Sequence, residues 1–169
     1  MGKSRMDKLL DTKFHDPYMD KTIYKDPTIC PVCKLVYHDK TWHRDAVLYK
    51  KYKDHPATHF KECPACRKVK DNFPLGIVIL EGNFIKNNQN AKQEILNLIR
   101  HEAEKEELSN PLARIMKIEE KEGFIEIRTT TEGLASKIGK AVHKAYHGEL
   151  NFTFSDDQKL LRIYWRRES

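Results

Sequence analysis

Four cysteines are the residues of this sequence whose type and spacing predict chemistry most directly. They occur as two pairs, Cys30-Pro-Val-Cys33 and Cys63-Pro-Ala-Cys66, which together follow the pattern C-x2-C-x29-C-x2-C. A two-residue spacer lets both thiolates of a pair reach one ion, and soft thiolates suit the tetrahedral coordination of zinc. Because four protein ligands leave no open position for water or substrate, the pattern predicts one structural zinc ion.

Two alternatives to a four-cysteine zinc site stay open at this point. A single CxxC motif can serve thioredoxin-like redox chemistry, but two such motifs, neither of them predicted at a strand-to-helix junction, favour metal binding. A histidine could also replace one cysteine ligand. Four histidines lie between the two pairs, and their simpler interpretation is that they are surface side chains: His38, His43, His55 and His59.

Positive and aromatic residues stand beside the cysteine pairs. Lys34, Arg67 and Lys68 place positive charge next to a site in which four thiolates around Zn²⁺ leave two net negative charges. Tyr37 and Trp42 follow the first pair, and a small zinc module can use one aromatic ring as most of its core. We expect Trp42 in that role, with stacking on a nucleic-acid base as the alternative.

The charge of the chain is unevenly distributed. It has 31 Lys and Arg against 25 Asp and Glu, for a formal charge of +6. Residues 1–70 hold 16 basic and 9 acidic residues, whereas residues 71–169 hold 15 basic and 16 acidic residues. The excess therefore lies in the half that carries the cysteines. Such asymmetry favours a polyanionic partner, and a well-solvated charged surface is the simpler alternative.

The chain after the cysteines has the pattern of an α+β domain. An aliphatic run at 75–81 predicts a buried strand, and helical spacing of apolar residues predicts helices over 90–108 and 131–146, the second capped by Thr131. Shorter strands are predicted at 112–119, 124–129, 149–154 and 159–166, the last two joined by a turn at 155–157. This β-α-β-β-α-β-β order predicts two helices on one face of a mainly antiparallel sheet, with a ferredoxin-like split βαβ and an added strand as its simplest arrangement.

These patterns divide the chain into three parts. Residues 1–29 alternate Lys and Asp with few aliphatic side chains, and we expect them to form a mobile basic arm. Residues 30–70 are the zinc-binding, zinc-ribbon-like module, in which residues 44–53 can supply a helix between the two cysteine pairs. Residues 71–169 are the α+β domain.

Two surfaces of that domain carry residues suited to nucleic acid. Lys137, Lys140 and Lys144 follow one another at helical spacing opposite an apolar stripe, with His143 beside them. Phosphate contact and an ordinary solvated helix face are both open interpretations of this ridge.

The last predicted strand alternates polar and apolar side chains. Its polar row consists of Arg162, Tyr164 and Arg166, which would lie on the open face of the sheet if the apolar row packs beneath the helices. Interleaved Arg and Tyr side chains can pair with phosphates and stack on the bases of single-stranded RNA. A hydrophilic outer face without a ligand is the alternative.

Patterns typical of enzymes and membrane proteins are missing from the sequence. It has no Gly-rich phosphate loop, nucleophile elbow or HExxH motif, and its crowded carboxylates resemble one another in their surroundings, so we expect no enzymatic activity. No apolar run approaches the roughly 18 residues of a membrane span. The N-terminus lacks the apolar stretch of a secretory signal, so we expect a cytoplasmic protein whose thiols stay reduced.

Several segments, covering about residues 27–167, form a combination typical of a known family. They are the two CxxC pairs with Arg67, Asp71-Asn-Phe-Pro-Leu-Gly76, Glu94-Ile-Leu-Asn-Leu-Ile-Arg100, Pro111-Leu-Ala-Arg-Ile-Met-Lys-Ile118, Thr129-Thr-Thr131, Ile138-Gly139, His143-Lys-Ala-Tyr146, and Arg162 with Trp165. The combination resembles small prokaryotic proteins related to the NMD family. The larger archaeal and eukaryotic members of that family are zinc-bearing adaptors of the large ribosomal subunit.

The resemblance implies a zinc ion and association with the ribosome. Together with the basic cysteine half, it predicts a small zinc-stabilised protein that binds RNA of the large ribosomal subunit without catalysing a reaction. The larger adaptors have more zinc knuckles and further β domains than this chain, so we do not expect it to act as an export adaptor. Two alternatives are a zinc-stapled protein–protein adaptor whose basic face meets an acidic protein, and a zinc-containing regulator that binds DNA.

Overall fold

The computed structural model describes residues 16–19, 24–155 and 159–169, which form two adjoining units. The first unit contains the cysteines. After a 3-10 turn at Pro17–Met19, its strands are β1 (Thr28–Ile29), β2 (Val36–His38), β3 (Thr41–His43) and β4 (His59–Phe60), and its helices are α1 (Ala46–Tyr52) and α2 (Pro64–Asp71). The strands form a small sheet in the order β3-β2-β1-β4, in which β1 runs antiparallel to β2 and parallel to β4.

The second unit is a five-stranded sheet with helices. Its elements are β5 (Gly76–Glu81), α3 (Asn83–Asn87), α4 (Gln89–Ser109), β6 (Ile115–Lys121), β7 (Phe124–Thr129), α5 (Glu132–Tyr146), β8 (Glu149–Phe154) and β9 (Leu161–Arg166). The chain is therefore α+β with two mixed sheets, and the α+β class predicted from the sequence is confirmed.

Alternating burial along the strands explains why both long helices lie on one face of the second sheet. Every second side chain of β5 and β9 is buried, including Val78 and Leu80 on β5 and Ile163 on β9. These side chains form one core with the apolar stripes of α4 and α5. The helices contribute Ile95, Ile99, Leu134, Ile138 and Val142 to that core.

The strand order of the second sheet is β6-β7-β5-β9-β8. β7 lies between β5 and β6, and β9 inserts beside β5 and runs parallel to it. The order therefore differs from an all-antiparallel ferredoxin-like sheet, because the added strand occupies an interior position. The inward row of β9 consists of Leu161, Ile163 and Trp165, which are all fully buried, and the centre of the sheet beneath α5 provides that burial.

The predicted elements of residues 75–166 lie close to the observed ones, with two differences. The strand predicted over 112–119 begins at Ile115, because the amide of Ala113 donates to the carbonyl of Asn110 and turns the chain first. Helix α3 also follows β5 directly, where the sequence predicted only the end of a strand. Residues 156 and 157 of the hairpin turn predicted at 155–157 lie outside the described residues.

Helix α5 lies close against β9. The hydroxyl of Thr131 caps the helix by accepting a hydrogen bond from the Leu134 amide at 3.2 Å, as the sequence predicted. Gly139 faces Ile163, and a Cβ atom at this glycine would lie 2.7 Å from the Ile163 side chain. The helix can therefore approach the strand this closely because position 139 has no side chain.

The two units share a buried junction. Lys68 on α2 donates from its ammonium to the Asp16 carboxylate at 2.6 Å and to the carbonyl oxygen of Thr130, in the second unit, at 2.9 Å. Leu112 of the second unit packs in the apolar cluster that surrounds the cysteines. Polar and apolar side chains thus connect the cysteine unit directly to the α+β unit.

The first unit begins before Cys30. Tyr24 is buried in its core, and Thr28–Ile29 form β1, the strand that pairs with both β2 and β4. The boundary predicted at residue 30 therefore falls within folded structure, whereas residues 1–15 and 20–23 of the predicted arm lie outside the described residues. None of the described helices is long and apolar enough to cross a membrane.

Candidate metal centre

The first cysteine pair lies in a tight turn that follows β1. The Cys30 amide donates to the carbonyl of Leu35 at 2.9 Å, and the Lys34 amide donates to the carbonyl of Cys30 at 3.0 Å. Lys34 has a positive φ of 66°, which reverses the chain into β2. This turn brings the side chains of Cys30 and Cys33 to the same side.

The second cysteine pair begins helix α2. Cys63 is the N-cap residue, Pro64 occupies the first helical position, and the Cys66 amide donates to the Cys63 sulfur at 3.4 Å. Because β4 ends only a few residues earlier, this pair does lie at a strand-to-helix junction, contrary to the expectation from the sequence. The prediction that neither pair lies at such a junction is therefore wrong, and the geometry of all four sulfurs has to distinguish metal binding from redox chemistry.

The four cysteines converge as the sequence predicted. Their Sγ atoms all lie within 4.8 Å of one another, and the Sγ atoms of Cys33 and Cys63 are 3.6 Å apart. A tetrahedral site with Zn–S bonds of about 2.3 Å has sulfur–sulfur edges of about 3.8 Å, whereas a disulfide bond measures about 2.05 Å. All four cysteines are free, and only Cys33 is not fully buried. The donor set is therefore suited to holding one metal ion.

None of the histidines between the pairs joins this cluster of described ligands. His38 contacts the carboxylates of Asp26 and Asp39, and a ring nitrogen of His43 hydrogen-bonds to the His38 carbonyl. The His55 ring accepts a hydrogen bond from a backbone amide, and His59 is exposed on β4. Replacement of a cysteine ligand by histidine therefore has no support in this arrangement.

Arg114, from the second unit, donates hydrogen bonds to the thiol cluster. One of its terminal nitrogens lies 3.2 Å from the sulfur of Cys33, and the other lies 3.4 Å from the sulfur of Cys66. Burial by itself would lower the pKa of this guanidinium, but its hydrogen bonds to Cys33 and Cys66 and the charges of Cys33 and Cys63 raise the pKa above its usual value. The positive charge of Arg114 thus lies against the four sulfurs, which would carry two net negative charges with Zn²⁺ bound.

This role of Arg114 was not predicted from the sequence. The residue is separated from Cys33 by 81 positions and from Cys66 by 48, and the sequence predicted it only as part of the strand over 112–119. Its backbone amide donates to the Thr130 hydroxyl at 2.8 Å, which fixes the start of the side chain. No local spacing could have connected this arginine to the cysteines.

Proton affinity differs among the thiols of the cluster in the absence of metal. Hydrogen bonds from Cys30 and Cys63 lower the pKa of Cys33 well below its usual range, whereas burial raises the pKa of Cys66 to about 11. A metal ion binds thiolates and releases their protons. Metal binding therefore has to displace a proton from Cys66, and also from Cys63, whose pKa is raised by its hydrogen bonds to Cys30 and Cys33.

Trp42 forms the aromatic core of the cysteine unit. Its ring lies 4.9 Å from that of Tyr24 in an edge-on arrangement and 5.4 Å from that of Tyr37, between ring centroids. Because Trp42 is buried in the cluster that includes the cysteines, the core role expected for it is supported, and base stacking by this ring is incompatible with its position.

The basic residues beside the cysteines have different environments. Lys68 is buried at the junction described above, so the prediction that it contacts nucleic acid is incompatible with its position. The guanidinium of Arg67 lies 5.0 Å from the centre of the Tyr18 ring. Lys34 is exposed, and its ammonium donates to the carbonyl of Pro31. Contacts of Arg67 and Lys34 with nucleic acid stay predictions.

The predicted ridge on α5 is less basic in the structure than in the sequence. Lys137 forms an ion pair with Glu106 on the neighbouring helix α4, so this lysine is neutralised. Lys140 and Lys144 are exposed, and His143 is half-buried. The ridge therefore presents two free lysines beside an acidic helix, and its contact with nucleic acid stays a prediction.

The polar row of β9 lies on the open face of the sheet, as expected. Arg162 and Arg166 are exposed, and Tyr164 between them is half-buried. Carboxylates share this end of the molecule, since Arg166 bonds to Glu168 at 2.6 Å and the adjoining strand pairs place Glu81 opposite Arg166. The open face thus mixes positive and negative charge, and RNA binding by this row stays a prediction.

Comparisons of the chain with protein-family models, with curated proteins and with solved structures find no match.

Proposed function

We propose that this chain is a zinc-stabilised protein that binds RNA without catalysing a reaction, and that its target is RNA of the large ribosomal subunit. The four converging sulfurs carry this proposal, because they support a metal-stapled module on the basic half of the chain. The residues that would hold the ion are Cys30, Cys33, Cys63 and Cys66. The ribosomal target comes from the family resemblance, and the cytoplasm is the proposed location.

Zinc is the metal that fits this donor set best. Four cysteine sulfurs form the closed coordination typical of structural zinc, and the burial of three of the four limits access of other ligands. Bound zinc would supply folding energy to a unit whose strands are only two or three residues long. Arg114 would offset part of the negative charge of the four thiolates.

The excess of positive charge supports RNA as the partner. Residues 24–70 of the described chain hold 11 basic and 5 acidic residues, so the folded cysteine unit is basic even without the arm. Lysines that contact phosphates release counterions from the nucleic acid, which makes such binding strong at low salt and weak at high salt. The proposed mechanism is therefore electrostatic docking of the zinc-stapled unit on structured RNA.

A protein–protein adaptor is the second candidate, and one groove favours it. A cavity of about 580 Å³ lies between the first unit and the end of α4, lined among others by Arg44, Glu107 and Leu108. Leu108 is 89% exposed, which leaves a large apolar side chain in water at the rim of this cavity. An adaptor would cover that side chain with a partner protein.

Sedimentation of cell extract separates the two candidates. The zinc content of the purified chain is measured by elemental analysis, and the chain is followed through a density gradient at low salt, with ultraviolet crosslinking to RNA. We expect one zinc per chain, migration with large ribosomal subunits and RNA crosslinks that are lost after nuclease treatment. Protein that stays at the top of the gradient without crosslinks contradicts the proposal, and a nuclease-resistant complex with another protein favours the adaptor.

A further inference from the structure

Helix α1 presents a basic face that no other part of the described chain covers. Among the described α-helices, it alone contains no buried residue. Tyr49 and Tyr52 are half-buried, whereas Val47, Lys50 and Lys51 are exposed, Val47 to 76%. Lys53 follows as the C-cap residue and is exposed as well. The outward side of α1 is therefore defined here as the α1 face: Val47, Lys50, Lys51 and Lys53.

The lysines of the α1 face have no acidic partners. Within the described chain, no carboxylate forms an ion pair with Lys50, Lys51 or Lys53. The carboxylate of Asp45, the acidic residue that precedes the helix, accepts hydrogen bonds from the amides of Val47 and Leu48 as the N-cap. The positive charge of the α1 face is consequently available to a ligand.

Two other basic surfaces of the described chain are partly neutralised by carboxylates. Lys137 on α5 pairs with Glu106, and on the open sheet face Arg128 bonds to the carboxylate of Glu126 at 2.6 Å. The α1 face thus brings together three lysines that have no ion pair within the described residues, whereas the ridge on α5 keeps only Lys140 and Lys144 beside the acidic helix α4.

The helix is also held firmly enough to serve as a binding platform. The Asp45 cap fixes its beginning, and the Thr58 hydroxyl donates to the Tyr52 carbonyl at 2.6 Å near its end. The Tyr52 ring lies 5.3 Å from the ring of His38 and 6.0 Å from that of His55. A backbone that is already ordered loses less conformational entropy on binding.

We propose that the α1 face binds phosphates of the RNA, an inference that rests on the proposed function and names the surface that carries it. Three lysines within four residues suit a row of phosphates, because each ammonium can displace a counterion. Lysine is depleted from protein–protein interfaces, whose centres are instead rich in aromatic side chains. Since the α1 face has one apolar residue among three lysines, RNA fits it better than an acidic protein does.

The test compares two pairs of lysines in the full-length, zinc-loaded protein. One variant carries Lys50→Gln and Lys51→Gln on the α1 face, and the matched control carries Lys86→Gln on α3 and Lys105→Gln on α4. Both variants lose two positive charges from exposed helix positions. Dissociation constants for purified large-subunit ribosomal RNA are measured from about 0.05 to 0.3 M salt, a range in which counterion release is pronounced. Zinc content and circular dichroism check that both variants stay folded.

We expect the α1 variant to reduce the log–log salt slope by about 1.4–1.8, since each phosphate contact contributes about 0.7–0.9. Affinity at 0.1 M salt should then fall by about 25- to 60-fold, and the control should change affinity by less than about 3-fold. If both variants lose RNA affinity equally, or if the control alone loses it, the assignment of phosphate binding to the α1 face is overturned while the proposed function stands. No binding of the unaltered protein overturns both proposals. Lysine-dependent binding of an acidic protein in place of RNA overturns the choice of ligand.

Discussion

Replacing Arg114 by methionine removes the hydrogen-bond donors from the thiol cluster and keeps a flexible side chain of similar reach. The guanidinium donates to the sulfurs of Cys33 and Cys66, at 3.2 and 3.4 Å, and holds a positive charge beside them. The backbone amide of Arg114, which donates to the Thr130 hydroxyl, is unaffected by the change. We therefore expect Arg114→Met to weaken zinc binding without unfolding the chain.

The loss of zinc affinity in Arg114→Met can be bounded in two ways. A hydrogen bond to a charged group contributes about 1.5–3 kcal/mol, so two bonds give an upper range of about 3–6 kcal/mol. Arg114 is only half-buried, and water replaces part of what is lost. Removing an outer-shell partner of a metal ligand costs about 10- to 100-fold in metal affinity, which is about 1.4–2.7 kcal/mol. The smaller range is therefore the expected one.

Competition with a chromogenic chelator measures the zinc affinity of each variant. Arg114→Lys keeps the positive charge but replaces two fixed donor nitrogens with one ammonium, so we expect an affinity between those of the original protein and Arg114→Met. Arg162→Met is the matched control, because it removes the same charge from an exposed position on β9. The rate of thiol alkylation is a second readout, since thiolates that lose a hydrogen bond become more reactive.

An Arg114→Met protein that binds zinc within about twofold of the original affinity, and whose thiols alkylate at the same rate, would contradict this role of Arg114. That result would mean that the arginine only covers the cluster. An equal weakening by Arg162→Met would point to a general effect of net charge instead of a contact with the sulfurs.

Four further predictions concern metal and stability. Cys63→Ser should abolish zinc binding and unfold the cysteine unit, because a structural zinc contributes on the order of 10 kcal/mol; elemental analysis that still finds one zinc per chain contradicts this. Ile138→Ala should lower the free energy of unfolding in urea by about 2–5 kcal/mol and leave zinc content unchanged, since the fully buried side chain belongs to the other core. Asp16→Asn should lower the free energy of unfolding by about 3–5 kcal/mol in the same assay, because it leaves the buried ammonium of Lys68 without its charged partner. Adding Lys68→Met should restore most of that stability, and a double variant as unstable as Asp16→Asn alone would contradict the pairing. Finally, the hydrogen bond from His38 lowers the pKa of Asp26 below its usual 3.8. The ionised Asp26 therefore adds to the stability of the folded chain above pH 3.8, and this stabilisation is lost as the pH falls through the lowered pKa. Asp26→Asn should flatten this acidic part of a curve of stability against pH, and an unchanged curve would contradict the prediction.

The junction between the units changes what chelation is expected to do. From the sequence, the cysteine module and the α+β domain divide near residue 70 and appear separable. In the structure, Arg114 and Leu112 of the second unit contact the cysteine cluster, and Lys68 reaches the Thr130 carbonyl. Removal of zinc should therefore also lower the stability of the α+β unit, although that unit has its own core.

Features that depend on neighbouring residues could be predicted from the sequence. The two-residue spacers place Cys30 near Cys33 and Cys63 near Cys66 through one turn of backbone each. The alternation that defines β5 and the Thr131 cap of α5 are likewise set by strand and helix periodicity within a few residues. Local conformational preferences suffice for such elements, because the partners are already close along the chain.

Features that depend on distant residues were decided only by the tertiary structure. The hydrogen bond from Arg114 to Cys33 joins residues that are 81 positions apart. Lys68 is buried because the Asp16 carboxylate and the Thr130 carbonyl bind its ammonium group. Strand β9 inserts beside β5, although several elements separate the two in the sequence. No periodicity marks such partners, since packing selects them once the units meet. The free charge of the α1 face has the same origin, because an ion pair across the fold neutralises Lys137, whereas no carboxylate of residues 16–19, 24–155 or 159–169 pairs with the lysines of the α1 face.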